Sequence, residues 1–120
     1  MTPDASGLPW RLSRRGVTYA GLGLVGLAAR TLARESRHCS QPVANDDVTP
    51  MGVEDQAPFT LLGVRRTVDQ LDWLRQVLAC EMMVAAQALD LRRPARTPAS
   101  VEALYGFVRA RSAFVDDDRS

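Results

Sequence analysis

The stretch Phe59–Leu91, FTLLGVRRTVDQLDWLRQVLACEMMVAAQALDL, decides the fold of this 120-residue chain because it carries one long apolar stripe. Apolar residues recur in it at steps of three and four, which is the spacing of one face of an α-helix. At a rise of 1.5 Å per residue the helix would be about 50 Å long, more than a compact domain of this size requires. The stretch therefore predicts a long helix over about 57–91 that packs against partners on more than one face. The members of the stripe are Leu61, Val64, Val68, Leu71, Leu74, Leu78, Met82, Ala85 and Leu89.

The flanking segments predict two more helices. Pro94 and Pro98 end the long helix, and the apolar spacing after them indicates a short helix over 99–112. Residues 16–33 are mostly small and apolar, and a helix is predicted over about 17–38, although periodicity alone leaves a strand–turn–helix open. The loop chemistry of 39–56 separates these helices, 1–15 is expected to be irregular, and 113–120 is expected to be a solvated acidic tail. The whole chain thus predicts an all-α fold in a single region, 1–120.

Composition narrows the class of protein. Fifteen basic and fourteen acidic residues give a net charge of +1. A protein whose main function is to bind the phosphate backbone of a nucleic acid is expected to be more basic than this. Cys39 and Cys80 stand far apart with a single histidine, so no metal site is predicted, and free thiols in a reducing cytoplasm are expected. The uncharged run at 16–29 is too short to cross a bilayer, so no membrane partner is expected.

A glycine motif offers an alternative function. Gly21, Gly23 and Gly26 spell G-x-G-x-x-G, which in a dinucleotide-binding fold follows a strand and opens a helix. Such a unit requires a second apolar strand after the helix, and the polar residues that follow, RESRHCSQPVANDDVTP, do not supply one. A fragment binding FAD or NAD through these glycines is therefore kept as the alternative, and close helix packing is the simpler interpretation.

Several segments, in collinear order, are similar to segments of one known family. Ser6-Gly7-Leu8-Pro9 resembles its SGLP motif, and residues 17–35 occupy the place of its GLNSGF…AALASE helix. Residues 52–56 stand where the family has NQEDH, and LACEMMVAAQALDLR at 78–92 resembles ILAIELLAAAQALDLR. Together they resemble the C-terminal part of the aromatic amino acid ammonia-lyases and aminomutases, which include histidine, phenylalanine and tyrosine ammonia-lyases.

This resemblance implies long helices assembled into a tetramer whose active sites collect residues from several subunits. The family's electrophile is a methylidene-imidazolone, formed when an Ala-Ser-Gly stretch of the N-terminal half cyclises. The tripeptide Ala5-Ser6-Gly7 is present here, but Asp4 precedes it and Leu8 follows it, unlike the family's context. No cofactor is therefore expected in this chain.

The resemblance also implies the candidate site residues. Glu54 falls on the glutamate of the QED-like segment and is the candidate catalytic carboxylate, able to bind an imidazole N–H or to act as a base. A first-turn acid of the long helix is the alternative role for Glu54. Leu22 and Gln56 are the candidate substrate-binding positions. We expect a lyase-like or aminomutase-like chain for an aromatic amino acid such as histidine, lacking the electrophile-bearing half and inactive alone. Its expected partner is a second copy or a separately encoded N-terminal half, and a non-catalytic helical interaction module is a further alternative.

Overall fold

The long apolar stripe folds as one uninterrupted helix, flanked by two shorter ones. The computed structural model describes residues 3–43 and 59–118 and contains α1 (Pro3–Ser6), a 3₁₀ turn (Trp10–Leu12), α2 (Gly23–Cys39), α3 (Thr60–Arg92) and α4 (Ala99–Arg109). No strand occurs in these two ranges. The predicted all-α fold is therefore confirmed.

Helices α2 and α3 pack side by side in opposite directions. Gln70 donates a hydrogen bond from its Nε2 to the carbonyl oxygen of Ser36 at 3.0 Å. Further along, Arg66 donates from Nη1 to the carbonyl oxygen of Gln41 at 3.2 Å. Because residue numbers fall along α3 as they rise along α2, the two helices are antiparallel.

A charged clasp joins the end of α3 to α4. The Arg93 guanidinium donates two hydrogen bonds to the Glu102 carboxylate, at 2.8 and 2.7 Å, and the Thr97 hydroxyl donates a third. The bond from Arg93, followed by that from Thr97, lowers the pKa of Glu102 to about 2. The clasp thus fixes the turn at Pro94 that the sequence predicted as the end of the long helix.

The helix bounds differ from the predicted ones mainly at the start of α2. The sequence predicted a helix from residue 17, whereas residues 17–20 form turns and α2 begins at Gly23. The cause is Gly21, whose φ of +48° is not helical and at which a Cβ would lie only 2.7 Å from the carbonyl oxygen of Arg11. The short helix α4 ends at Arg109 rather than 112, and the N-terminal segment predicted as irregular contains two short helical turns.

The core is small for the length of the chain. Leu8, Leu12 and Leu22 form a buried cluster against which Val84 and Val115 pack. In contrast, large apolar side chains along α3 are exposed, with Leu61 at 84%. The Cα radius of gyration is 21.1 Å, whereas a compact chain of this length has about 14 Å. The fold is therefore extended, with most of its apolar stripe uncovered.

Two findings concern the membrane and the thiols. Within the described ranges, none of the helices has both the length and the apolar character that a bilayer crossing requires.

Cys39 and Cys80 are both free thiols and half-buried.

Candidate functional site around Leu22

Leu22 is the one predicted site residue that the structure describes, and it lies in the core. Its side chain is 7% exposed and contacts the cluster of Leu8 and Leu12. Its backbone N–H donates to the carbonyl oxygen of Arg11 at 3.0 Å, which fixes it immediately before the first turn of α2. One side of Leu22 lines a cavity of about 200 Å³. Leu22 thus belongs to the core and lines this cavity, and its role in substrate binding stays a prediction.

The other two predicted site residues, Glu54 and Gln56, lie outside the described residues. The roles given to them by resemblance, a catalytic carboxylate and a substrate-binding amide, stay predictions.

The tripeptide Ala5-Ser6-Gly7 lies at the end of α1 in a setting that does not fit an electrophile. Cyclisation requires the Gly7 nitrogen to be pressed onto the Ala5 carbonyl carbon by surrounding structure. Here Ala5 and Gly7 are exposed, and a Cβ built on Gly7 would meet no atom within 4 Å. The Ser6 hydroxyl accepts a hydrogen bond from the Leu8 N–H at 3.3 Å, and the Ser6 carbonyl accepts one from Arg92 at 2.8 Å. These bonds hold an ordinary helix end rather than a compressed loop.

A buried amide organises the opposite side of this core. Gln87, on α3, is 1% exposed. Its Nε2 donates to the carbonyl oxygens of Val115 at 2.7 Å and Leu12 at 3.3 Å. Its Oε1 accepts from the Val115 N–H at 3.1 Å and from Arg109 Nη2 at 3.2 Å. The side chain thereby joins the N-terminal segment, α4 and the chain after α4 at one point of the core.

An ion pair between Asp90 and Arg109 lies next to the Gln87 amide. Asp90 and Arg109 approach to 2.7 Å with side chains only 18% and 15% exposed. The Tyr105 hydroxyl donates to the other oxygen of Asp90. That hydrogen bond, and next the burial of the ring, raise the pKa of Tyr105 above its usual value. Among the described residues no buried side-chain nitrogen or oxygen lacks a hydrogen-bond partner, and these four side chains bond to one another, which is the pattern of a structural group.

The segment after α4 is bound to the N-terminal part of the chain. We name residues 112–118 the C-terminal strap. The Asp118 carboxylate accepts the N–H of Ala20 at 2.9 Å and that of Gly21 at 3.0 Å, and Asp117 lies 3.4 Å from Arg15. The sequence predicted 113–120 as a solvated acidic tail; Asp118 is exposed, and its carboxylate also satisfies two backbone donors ahead of α2.

Sequence reasoning missed the strap and the ion pair. One signal was present: Gln87 and Asp90 are three residues apart on an otherwise apolar stretch of α3, so they share a face. Two polar groups on a packed face require partners, and an arginine elsewhere in the chain was the natural candidate. The sequence could not indicate that Gln87 bonds to the backbone of Leu12 and Val115, because backbone N–H and C=O groups are the same for nearly every residue type.

The glycine motif is placed differently from a nucleotide-binding motif. Residues 17–20, where that motif requires a strand, form turns. Gly21 lies in a turn with positive φ, while Gly23 and Gly26 belong to the first turn of α2. Gly21 and Gly23 therefore serve the close approach of Arg11 to the start of α2, whereas a Cβ on Gly26 would meet no atom within 4 Å.

Comparison with known proteins identifies the origin of this arrangement. The chain is 31% identical, over 99% of its length, to histidine ammonia-lyases of Stigmatella aurantiaca, Symbiobacterium thermophilum and Myxococcus xanthus. It spans about a quarter of the length of each of these relatives, 24%. The profile of the family described as "Aromatic amino acid lyase" matches residues 1–110. Since both matches cover nearly all of the chain, it belongs to the aromatic amino acid lyase family.

Proposed function

We propose that this chain supplies one part of an aromatic amino acid ammonia-lyase active site, with histidine as the preferred substrate, and that it has no lyase activity by itself. The observation that carries the proposal is the family match over 1–110, combined with the open setting of Ala5-Ser6-Gly7. Removing ammonia requires an electrophile and a base, because the proton to be lost is weakly acidic. The chain offers a candidate base, Glu54, and a tripeptide whose surroundings do not favour cyclisation.

Three residues of this chain would face the substrate. Leu22 presents an apolar surface next to the cavity before α2. Glu54 would accept an imidazole N–H or a proton, and Gln56 would donate or accept a hydrogen bond beside it. The preference for histidine rests on Glu54 and on the histidine ammonia-lyases among the relatives.

The chain would work in an assembly. Leu61, Val64, Val68, Leu71 and Leu74 are each roughly half exposed or more, along one side of α3. An uncovered apolar stripe of this length indicates an association surface. A second copy of the chain, or a separately encoded polypeptide with the electrophile, would cover it. Light scattering tests this proposal: an oligomer or a stable complex is expected, and a monodisperse monomer that binds no hydrophobic dye contradicts it.

Complementation tests the activity. The purified chain is assayed with histidine, tyrosine and phenylalanine by the absorbance of urocanate, coumarate and cinnamate. No turnover is expected from the chain alone. It is then co-expressed with a Stigmatella aurantiaca histidine ammonia-lyase that has been shortened to remove the region matching this chain. Urocanate formation is expected in the mixture.

Matched variants assign the roles. Glu54→Gln should abolish the restored activity, whereas Glu35→Gln, the same change at an exposed position on α2, should leave it unchanged. Turnover by the chain alone that disappears in Ser6→Ala would show that the terminal tripeptide forms the electrophile, and would refute the proposal. Restored activity that survives Glu54→Gln would remove Glu54 from the site.

A second candidate is a non-catalytic helical interaction module. The exposed stripe on α3 favours it, because that surface requires no chemistry to bind another helix. Stable association without turnover in any combination would support this function instead.

A further inference from the structure

The turn that leads into Leu22 is held by hydrogen bonds from two separate segments. The Asp118 carboxylate, in the C-terminal strap, accepts the N–H of Ala20 at 2.9 Å through one oxygen and that of Gly21 at 3.0 Å through the other. The next N–H along the chain, that of Leu22, donates to the carbonyl oxygen of Arg11 at 3.0 Å. The strap and the N-terminal segment therefore fix three consecutive backbone groups immediately before α2.

The same two segments are joined to each other through Gln87. Its Nε2 donates to the carbonyl oxygen of Leu12 at 3.3 Å and to that of Val115, three residues before Asp118, at 2.7 Å. Val115 also packs against the buried cluster that contains Leu22. The bonds thus form a closed ring around Leu22, which passes from the turn to the N-terminal segment, through Gln87 to the strap, and along the strap back to the turn.

Asp118 is the member of this ring that is held by its bonds rather than by burial, since it is exposed. Its neighbour Asp117 lies 3.4 Å from Arg15 and accepts the Asp118 N–H at 3.0 Å, so the strap is attached on both sides of its bend. Hydrogen bonds from backbone N–H groups to a carboxylate are about twice as strong as those between neutral groups. Without the Asp118 carboxylate, the turn would keep only its attachment to Arg11.

We propose that Asp118 is a positioning residue for Leu22, so that the strap sets how far the Leu22 side chain reaches into the wall of the cavity. The inference rests on the proposed function, in which Leu22 faces the aromatic amino acid, and Asp118 itself touches no substrate. An apolar contact of this kind is made equally with the bound substrate and with the transition state. Its loss therefore raises KM and leaves kcat unchanged.

Amide hydrogen exchange in the chain alone tests whether the strap holds the turn. Asp118→Ala should speed exchange of the amides of residues 20–22 by about fivefold or more, because the turn opens without its carboxylate. Asp116→Ala removes the same charge from another exposed position of the strap, one that is not bonded to the turn, and should change these rates by less than about twofold. The Val84 amide, inside α3, should exchange at the parent rate in both variants.

The complemented enzyme tests the consequence for the substrate. Each chain is combined with the shortened Stigmatella aurantiaca histidine ammonia-lyase, and light scattering should show the same complex for all of them. Asp118→Ala should raise the KM for histidine by about threefold or more and keep kcat within about twofold of the parent. Asp116→Ala should match the parent in both constants.

The two measurements separate this inference from the proposed function. Unchanged exchange of residues 20–22 in Asp118→Ala would overturn the inference, whatever the activity of the complex. So would an unchanged KM in Asp118→Ala, or equal effects of the two aspartate variants. If the parent complex forms no urocanate, the proposed function fails, and the exchange result alone decides whether the strap positions Leu22.

Discussion

Replacing Gln87 by leucine should release the C-terminal strap and destabilise the whole chain. The Gln87 amide makes four hydrogen bonds, two to Val115 and one each to Leu12 and Arg109. Leucine has similar bulk and no polar atom, so all four are lost while the helix is preserved. Arg109 keeps its bond to Asp90, but the backbone groups of Leu12 and Val115 lose their partner.

The expected loss of unfolding free energy is about 2–4 kcal/mol. Each hydrogen bond contributes about 0.5–1.5 kcal/mol net, and a buried group left without a partner costs about 1–3 kcal/mol. The total falls below the sum of these values for two reasons. Val115 is only half-buried, so water reaches its backbone in the variant, and the leucine itself gains burial.

Urea unfolding followed by circular dichroism measures the change, and amide hydrogen exchange at Val115 locates it. Gln76→Leu is the matched control, since Gln76 lies on the exposed side of α3 and its replacement should shift stability by less than about 0.5 kcal/mol. The Val115 amide should exchange faster in the Gln87 variant only. A change below about 1 kcal/mol with the Val115 amide still protected would show that the amide does not hold the strap.

Three further predictions concern other parts of the structure. The pKa of Glu102 is about 2 in the folded chain against 4.5 ordinarily, so the clasp contributes its full stability at pH values above 4.5 and progressively less as the pH falls toward 2. The difference in melting temperature between the parent and Glu102→Gln should therefore shrink between pH 6 and pH 2. A difference that stays constant over this range contradicts the prediction. Asp90→Asn should lower the pKa of Tyr105 toward its ordinary value, because the hydrogen bond from the Tyr105 hydroxyl to the Asp90 carboxylate is the main cause of the rise; absorbance titration near 295 nm measures this pKa. Gly21→Ala should destabilise the chain by about 1–3 kcal/mol, because Gly21 has a positive φ and a Cβ at this position would meet the Arg11 carbonyl oxygen. Gly106→Ala, which has open space in α4, should stabilise it by about 0.5–1 kcal/mol. Thermal melts that show equal effects for the two variants would refute the close approach of Arg11 to Gly21.

The helices were predictable because their signals are local. The stripe on α3 and the prolines after it place the helix at 57–91, and the structure has it at Thr60–Arg92. The predicted start of α2 was six residues early, since Gly21 is held out of the helix by Arg11, a contact between residues ten apart. Helical spacing carries no information about such a contact.

The site was predictable only in part. Resemblance pointed to Leu22, Glu54 and Gln56, and the role of all three stays a prediction; the structure places Leu22 at the cavity and does not describe the other two. The Gln87 group depends on backbone atoms of Leu12 and Val115, 75 and 28 residues away along the chain. Those partners are identical for every residue type, so only the folded arrangement reveals them.

The strap also bears on the order in which the molecule folds. The bond between Asp118 and the Ala20 N–H closes a loop of nearly the whole chain, at a sequence separation of 98 residues. The entropy lost in closing a loop rises with its length, and contacts distant in sequence slow folding. Helices α2 and α3 can pair before this loop closes, since Gln70 and Ser36 are only 34 residues apart. We therefore expect Val115 and Asp118 to dock in a late kinetic step, onto an α2–α3 pair that has already formed.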